Sequence, residues 1–136
     1  MLVLADRELI AWCRTKGTGV VSYSPLAAGL LTGKIAFDVT FPPGDWRGGS
    51  DAAPLFGPGN IERHVAVVDA LRPVAERLGI TLAQLALAWN VAQPGVTSAI
   101  AGSRDPGHVQ ANAAAGDLEL DAETLAELEA LIRDER

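Results

Sequence analysis

The sequence predicts an α/β fold with parallel strands that does not close on itself. Two short apolar segments, "VVSYS" at 20–24 and "VTSAIAG" at 96–102, read as strands, the first stopped by Pro25 and the second preceded by Pro94-Gly95. Segments with apolar residues at helical spacing flank both, and strands that alternate with helices pair in parallel through right-handed crossovers. Only two strands are legible in 136 residues, a length that suits one domain of modest size. Each strand would keep an open edge, whereas parallel sheets are covered on both faces. Either further strands escape the pattern, or the chain is part of a larger α/β fold; the second reading is the better one.

The elements follow in order. Leu9, Ile10 and Cys13 fall near helical spacing, so residues 5–15 read as a short helix ending near Lys16, with Gly17-Thr18-Gly19 breaking it. The strand at 20–24 is expected to be short and buried. Residues 35–60 carry "FPPGDWRGG" and "APLFGPGN", a loop long enough to be functional or mobile. Residues 61–78 read as a helix with Val65, Val68, Leu71, Val74, Ala75 and Leu78 on one face, which Pro73 is expected to kink or split. Gly79 fits the left-handed position past its end. Thr81 and Gln84 form a capping box for the next helix, with Ile80 and Leu85 placed as a hydrophobic staple. After the strand at 96–102, Asp105-Pro106 opens a helix as N-cap and first residue. Asp121 caps the last helix, with Leu120 and Leu125 again spaced as a staple. No internal repeat is visible.

Composition narrows the function classes. Hydrophobic residues make up 49% and charged residues 21%, a globular rather than a disordered balance. The net charge is −6, with no basic cluster and no interleaved aromatics, which argues against nucleic-acid binding. The single cysteine, Cys13, forms no internal disulfide and fits a reducing compartment, where it fills a helix face. No apolar run approaches the roughly 20 residues that span a bilayer. The start "MLVLADRELI" holds Asp6, Arg7 and Glu8 and no cleavage site, so neither a membrane nor a signal peptide is expected and a cytoplasmic protein is the default.

"YSPLAAGLLTGK" at 23–34 follows a strand and ends in Gly-Lys, as phosphate loops do. A Walker loop anchored on Gly33-Lys34 needs Gly at 28 and Ser or Thr at 35, where the chain has Ala28 and Ile35. A dinucleotide fingerprint must follow its strand, and Gly17-Thr18-Gly19 precedes it. The remaining option is the phosphate site that (β/α)8 barrels build from two strand-to-loop junctions and a helix N-terminus. The chain offers both junctions, Tyr23 to Gly29 and Gly102 to Asp105, the second running into a helix start beside Arg104.

Together "YSPLAAGLLTGK", "FPPGDWR", "LAQLALAW" and "PGVTSAIAGSRDPGHVQANAAA" resemble the C-terminal portion of the aldo-keto reductases, closest to bacterial members and the potassium-channel β-subunit-like branch. The resemblance runs from about residue 9 to 132, with all four blocks in the family's order and spacing. It implies the C-terminal part of a (β/α)8 TIM barrel, strands 7 and 8 with their helices, incomplete as a barrel, and a partial NADP-dependent oxidoreductase domain over 1–136. By the same resemblance the cofactor is NADPH and the reaction is reduction of aldehydes and ketones. Tyr23 matches the position that stacks on the nicotinamide. Ser24, Leu26 and Gly29 match the loop around the pyrophosphate, with Lys34 at its end. Gly102, Ser103 and Arg104 match the adenosine 2′-phosphate site, and Arg104 favours NADPH over NADH. His108 stands where the family usually has Gln, and Asn112 matches an adenine-contacting Asn, although Ala111 replaces the common Glu before it. Nothing matches the family's catalytic Asp, Tyr, Lys and His, so no catalytic residue is assigned, and activity alone is not expected. A small-molecule aldehyde or ketone becomes a partner only with the N-terminal half supplied, in a longer reading frame or as a separate chain. The alternative expectation is a non-catalytic fragment that binds nucleotide or a partner and self-associates through its open strand edges. Asp45, Trp46 and Arg47 stand near the cofactor or form a loop anchored by Trp46; Trp89 is core, and Trp12 and His64 are structural.

Overall fold

The structure, a computed structural model, describes residues 7–134. The first two residues of the helix expected from position 5 lie outside them. Helix α1 (Arg7–Thr15) leads into strand β1 (Val20–Ser22). A short 3-10 segment, Ala27–Thr32, follows, then two more at Trp46–Gly48 and Ser50–Ala52 and a single turn, α2 (Ala53–Phe56). Helices α3 (Asn60–Leu78) and α4 (Leu82–Val91) come next, then strand β2 (Val96–Ala99), helix α5 (Pro106–Ala114), a 3-10 turn at Ala115–Asp117 and helix α6 (Ala122–Asp134).

β1 and β2 pair in parallel, with Val20 opposite Val96, Val21 opposite Ser98 and Ser22 opposite Ala99. The ladder is irregular between Val20 and Val21, and the Ile100 N–H extends it by donating to the Ser22 carbonyl at 2.9 Å. The alternation of helices and strands thus yields the parallel pair that connectivity requires. Both strands are shorter than the sequence suggests, because backbone bonds define a strand and among the described residues each has one neighbour. Nor is β1 buried: Val21 is 55% exposed, and Ile100 just past β2 is 57% exposed.

The core lies between the helices and one side of the sheet. Leu30, Val68, Val74, Leu85, Trp89 and Leu128 are buried together, with Ile10 of α1 and Ala27 of the first 3-10 segment beside them. Burying each of the larger aliphatic side chains contributes roughly 1.5–3 kcal/mol. On α3 the buried positions are Ile61, His64, Val67, Val68, Leu71, Val74 and Ala75. Leu78, expected on that face, is exposed, because the chain reverses at the left-handed Gly79 (φ 67°) just after it. Pro73 neither splits nor ends α3. It sits on the exposed side, where a carbonyl left without its N–H partner is open to water.

The caps form as the sequence indicates. Thr81 Oγ1 accepts from the Gln84 N–H at 3.2 Å, and Gln84 Oε1 accepts from the Thr81 N–H at 3.1 Å. Asp105 and Asp121 each accept an N–H of the first turn they cap, from His108 at 2.9 Å and Thr124 at 2.7 Å. The stretch at 35–60 is not a bare loop: Phe41 and Phe56 pack edge to face at 5.1 Å between centroids, and three short helical turns fill it.

Candidate functional site

Parallel pairing brings the two sequence-flagged junctions side by side. Tyr23-Ser24 leaves β1 directly after Ser22, and Ala101 to Asp105 leaves β2 directly after Ile100, at the same end of the sheet. In open or closed parallel sheets, ligands meet the carboxyl ends of strands, where loops from neighbouring strands converge.

The first junction is strained. Ser24, Ala27 and Ala28 carry φ of 53°, 48° and 56°, left-handed conformations that cost a residue with a Cβ about 1 kcal/mol or more each. Gly29 follows at φ 96°, where glycine alone is at ease. Three such residues within five positions fold the backbone of 24–29 into a tight ring, closed by the Ala27 N–H to Ser24 O and Gly29 N–H to Leu26 O bonds, both 3.0 Å. Strain of this kind persists only where surrounding structure over-determines it, and it gathers at ligand sites. Tyr23 stands at the rim with its ring 81% exposed, free to offer a face to a planar ligand.

The second junction is open. Gly102, Ser103 and Arg104 are exposed, and Arg104 has no ion pair among the described residues. Ser103 Oγ accepts from the Asp105 N–H at 3.1 Å and so shapes the approach to α5. Asp105 is held below the ordinary carboxylate range, first by the backbone N–H of His108, with His108, the Gly107 N–H and the charge of Lys34 adding to it. His108 is exposed and Asn112 half-buried on α5, whose packing is fixed by Gln84 Nε2 donating to Ala111 O at 3.3 Å. A strained backbone ring, an unpaired guanidinium and a helix start fit an elongated anion with a planar end.

Two contributions escape the sequence reading. The loop is anchored by Arg47 and not by Trp46, which is 60% exposed. Arg47 pairs with Asp45 at 2.6 Å, lies over the Phe41 ring at 4.7 Å, and reaches Ala28 O at 3.5 Å. Asp45 is drawn down to about 2 by the Arg47 side chain and then by the Arg47 backbone N–H, against the opposing effect of burial. The second contribution is Asn90, whose Oδ1 accepts from Ser22 Oγ at 2.6 Å. Its signal was the amide that interrupts the apolar run from Leu85 to Val91 of α4. Of the aromatic and histidine expectations, Trp89 is core, and His64 is buried with Nδ1 2.9 Å from Leu55 O. Trp12 departs from expectation: it is 57% exposed on the outer side of α1. No group of three or more possible metal ligands occurs among the described residues.

The family model of the Aldo/keto reductase family matches residues 1–133. The chain belongs to the aldo/keto reductase family. It is 37% identical over 120 residues to an uncharacterized oxidoreductase of Mycobacterium tuberculosis, covering 88% of this chain and 35% of that protein. It is 34% identical over 118 residues to a probable voltage-gated potassium channel subunit beta of Arabidopsis thaliana, covering 83% of this chain and 34% of the relative. Among solved structures, a glycerol dehydrogenase of Gluconobacter oxydans superposes with a TM-score of 0.83 at 28% identity, over 96% of this chain and 38% of that one. The chain thus spans about a third of the length of the curated relatives it matches. Among the described residues no helix is long and apolar enough to cross a membrane.

Proposed function

We propose that this aldo/keto reductase chain is the C-terminal part of a (β/α)8 barrel and supplies the cofactor-phosphate side of an NADPH-dependent carbonyl reductase. The observation that carries the reading is that two loops leave the carboxyl ends of paired parallel strands side by side, one strained at Ser24, Ala27 and Ala28, the other ending in Arg104, which has no ion pair among the described residues. Bound NADPH supplies the hydride for the carbonyl carbon. Tyr23 offers its ring face to the nicotinamide, the 24–29 ring and Lys34 face the pyrophosphate, and Ser103 and Arg104 take the 2′-phosphate, with His108 and Asn112 toward the adenine. Tyr23 is the sole tyrosine, and its place in the strand-end motif is that of a stacking residue, so the proton donor comes from the remainder of the fold.

Titration with both nicotinamide cofactors tests this. Arg104→Ala is expected to weaken NADPH at least tenfold, the loss of one charge-assisted contact, and to leave NADH unchanged. Equal weakening of both, or no binding by the folded wild-type chain, sinks the assignment. NADPH oxidation with a reactive aldehyde is expected to stay at background for residues 1–136 alone; turnover above it would place the proton donor within this chain.

A further inference from the structure

Ser22 is the point where three elements, β1, β2 and α4, are tied together. Its carbonyl accepts from the Ile100 N–H at 2.9 Å, which locks the ends of β1 and β2 to each other. Its hydroxyl donates to Asn90 Oδ1 at 2.6 Å, with a longer approach to Ser98 O at 3.4 Å. Asn90 is only 4% exposed, in the last turn of α4 directly after the buried Leu87, Ala88 and Trp89. Among the described residues this is the one side-chain hydrogen bond that ties the sheet to the helices. The next residue in the chain is Tyr23, and Ser24 opens the strained ring; two residues beyond Ile100 the Gly102-Ser103-Arg104 loop begins.

We infer that the Asn90–Ser22 hydrogen bond is a positioning device that sets both cofactor loops at once, an inference that rests on the cofactor reading above. Leaving β1 from one fixed node, the ring at 24–29 inherits its height over the sheet from Ser22. Through the Ile100 bond the loop at 102–104 inherits its own from the same residue. A buried amide oxygen is costly to leave unpaired, so the bond holds its two partners at one distance. With a ligand contacted from both loops, the separation of the loops decides whether both sets of contacts form together.

Ser22→Ala removes the donor with almost no change in volume, and Ser22→Thr restores it; Asn90→Leu removes the acceptor from the other side. Amide hydrogen exchange of the full chain is the primary readout because it needs no ligand. In Ser22→Ala and Asn90→Leu, exchange of 23–29 and of 101–104 is expected to rise together by at least tenfold while α3 keeps its protection, and Ser22→Thr is expected to restore both loops. A rise confined to 23–29, or a uniform rise that Ser22→Thr fails to reverse, overturns the inference. NADPH titration adds the functional arm: about a tenfold weaker Kd in Ser22→Ala, recovered in Ser22→Thr, is expected. An unchanged Kd in Ser22→Ala overturns the positioning role. A wild-type chain that binds no NADPH counts against the cofactor reading itself, and the exchange arm still decides the coupling of the loops.

Discussion

Asp45 and Arg47 show how much one ion pair can organise when its two members are close in sequence. The carboxylate accepts both the Arg47 backbone N–H, at 3.0 Å, and its guanidinium, at 2.6 Å, so one side chain shapes the turn and aims the other. The guanidinium then bridges Phe41 and Ala28 O, linking the loop to the strained ring. Because the folded carboxyl titrates at about 2 and an ordinary one near 3.8, the pair holds fully above the ordinary value and is lost as pH falls toward 2. Fluorescence of Trp46, with Trp12 and Trp89 replaced by Phe, is expected to be flat from pH 7 to 5 and to change between about 4 and 2. In Asp45→Asn that acid step should vanish; its persistence would mean another group controls the loop. The pair was only half legible in the sequence: the residues stood out in "FPPGDWR", but a partner 19 positions away in the chain, Ala28, is a tertiary fact.

At the scale of elements, the cap residues specified the helices and the glycines specified the reversals. Gly95 lies at φ 101° where the α4–β2 turn crosses α1, and a Cβ there would meet Ile10 Cγ2 at 2.8 Å and Ile10 O at 3.3 Å. Gly95→Ala is therefore expected to lower stability by about 1–3 kcal/mol, from a strained φ and a clash together; an unchanged urea midpoint would show that α1 gives way freely. Pro73 is the opposite case, a local rule overridden. A proline ring strains the turn before it and removes one N–H, yet α3 continues because its buried side, from Ile61 to Ala75, is packed against the core. Pro73→Ala restores the N–H that can donate to the Asp69 carbonyl and is expected to raise stability by about 2 kcal/mol after the loss of proline's unfolded-state rigidity. Thermal unfolding that stays at the wild-type midpoint would show the helix already relaxed around the ring.

Across the whole molecule, the pattern of exposure is what distinguishes this chain. Leu9 and Trp12 on α1, Val21 on β1, Tyr23 and Ile100 are all more than half exposed, while the opposite side of the sheet carries a packed core. Large apolar residues at two open strand edges and along one helix mark surface that gains by being covered. The glycerol dehydrogenase of which this chain spans 38% shows a longer chain with the same local arrangement. Taken alone, residues 1–136 are expected to self-associate with rising concentration in sedimentation velocity, against the repulsion of a −6 net charge. Leu9→Lys combined with Trp12→Lys should shift the distribution toward monomer. A wild-type chain that stays monomeric at high concentration would refute edge-driven association.

By itself the sequence determined the order of the two strands and the five longer helices, the caps at Thr81, Asp105 and Asp121, the reversal at Gly79 and the family, because each is written in neighbouring residues whose backbone preferences act locally. Only the tertiary structure decided that β1 stays half open, that Leu78 and Trp12 face outward, that Pro73 is tolerated, and that Arg47 and Asn90 hold the loops. Those outcomes depend on which distant surfaces meet, and burial and hydrogen bonding across the fold outweigh local preference where the two disagree.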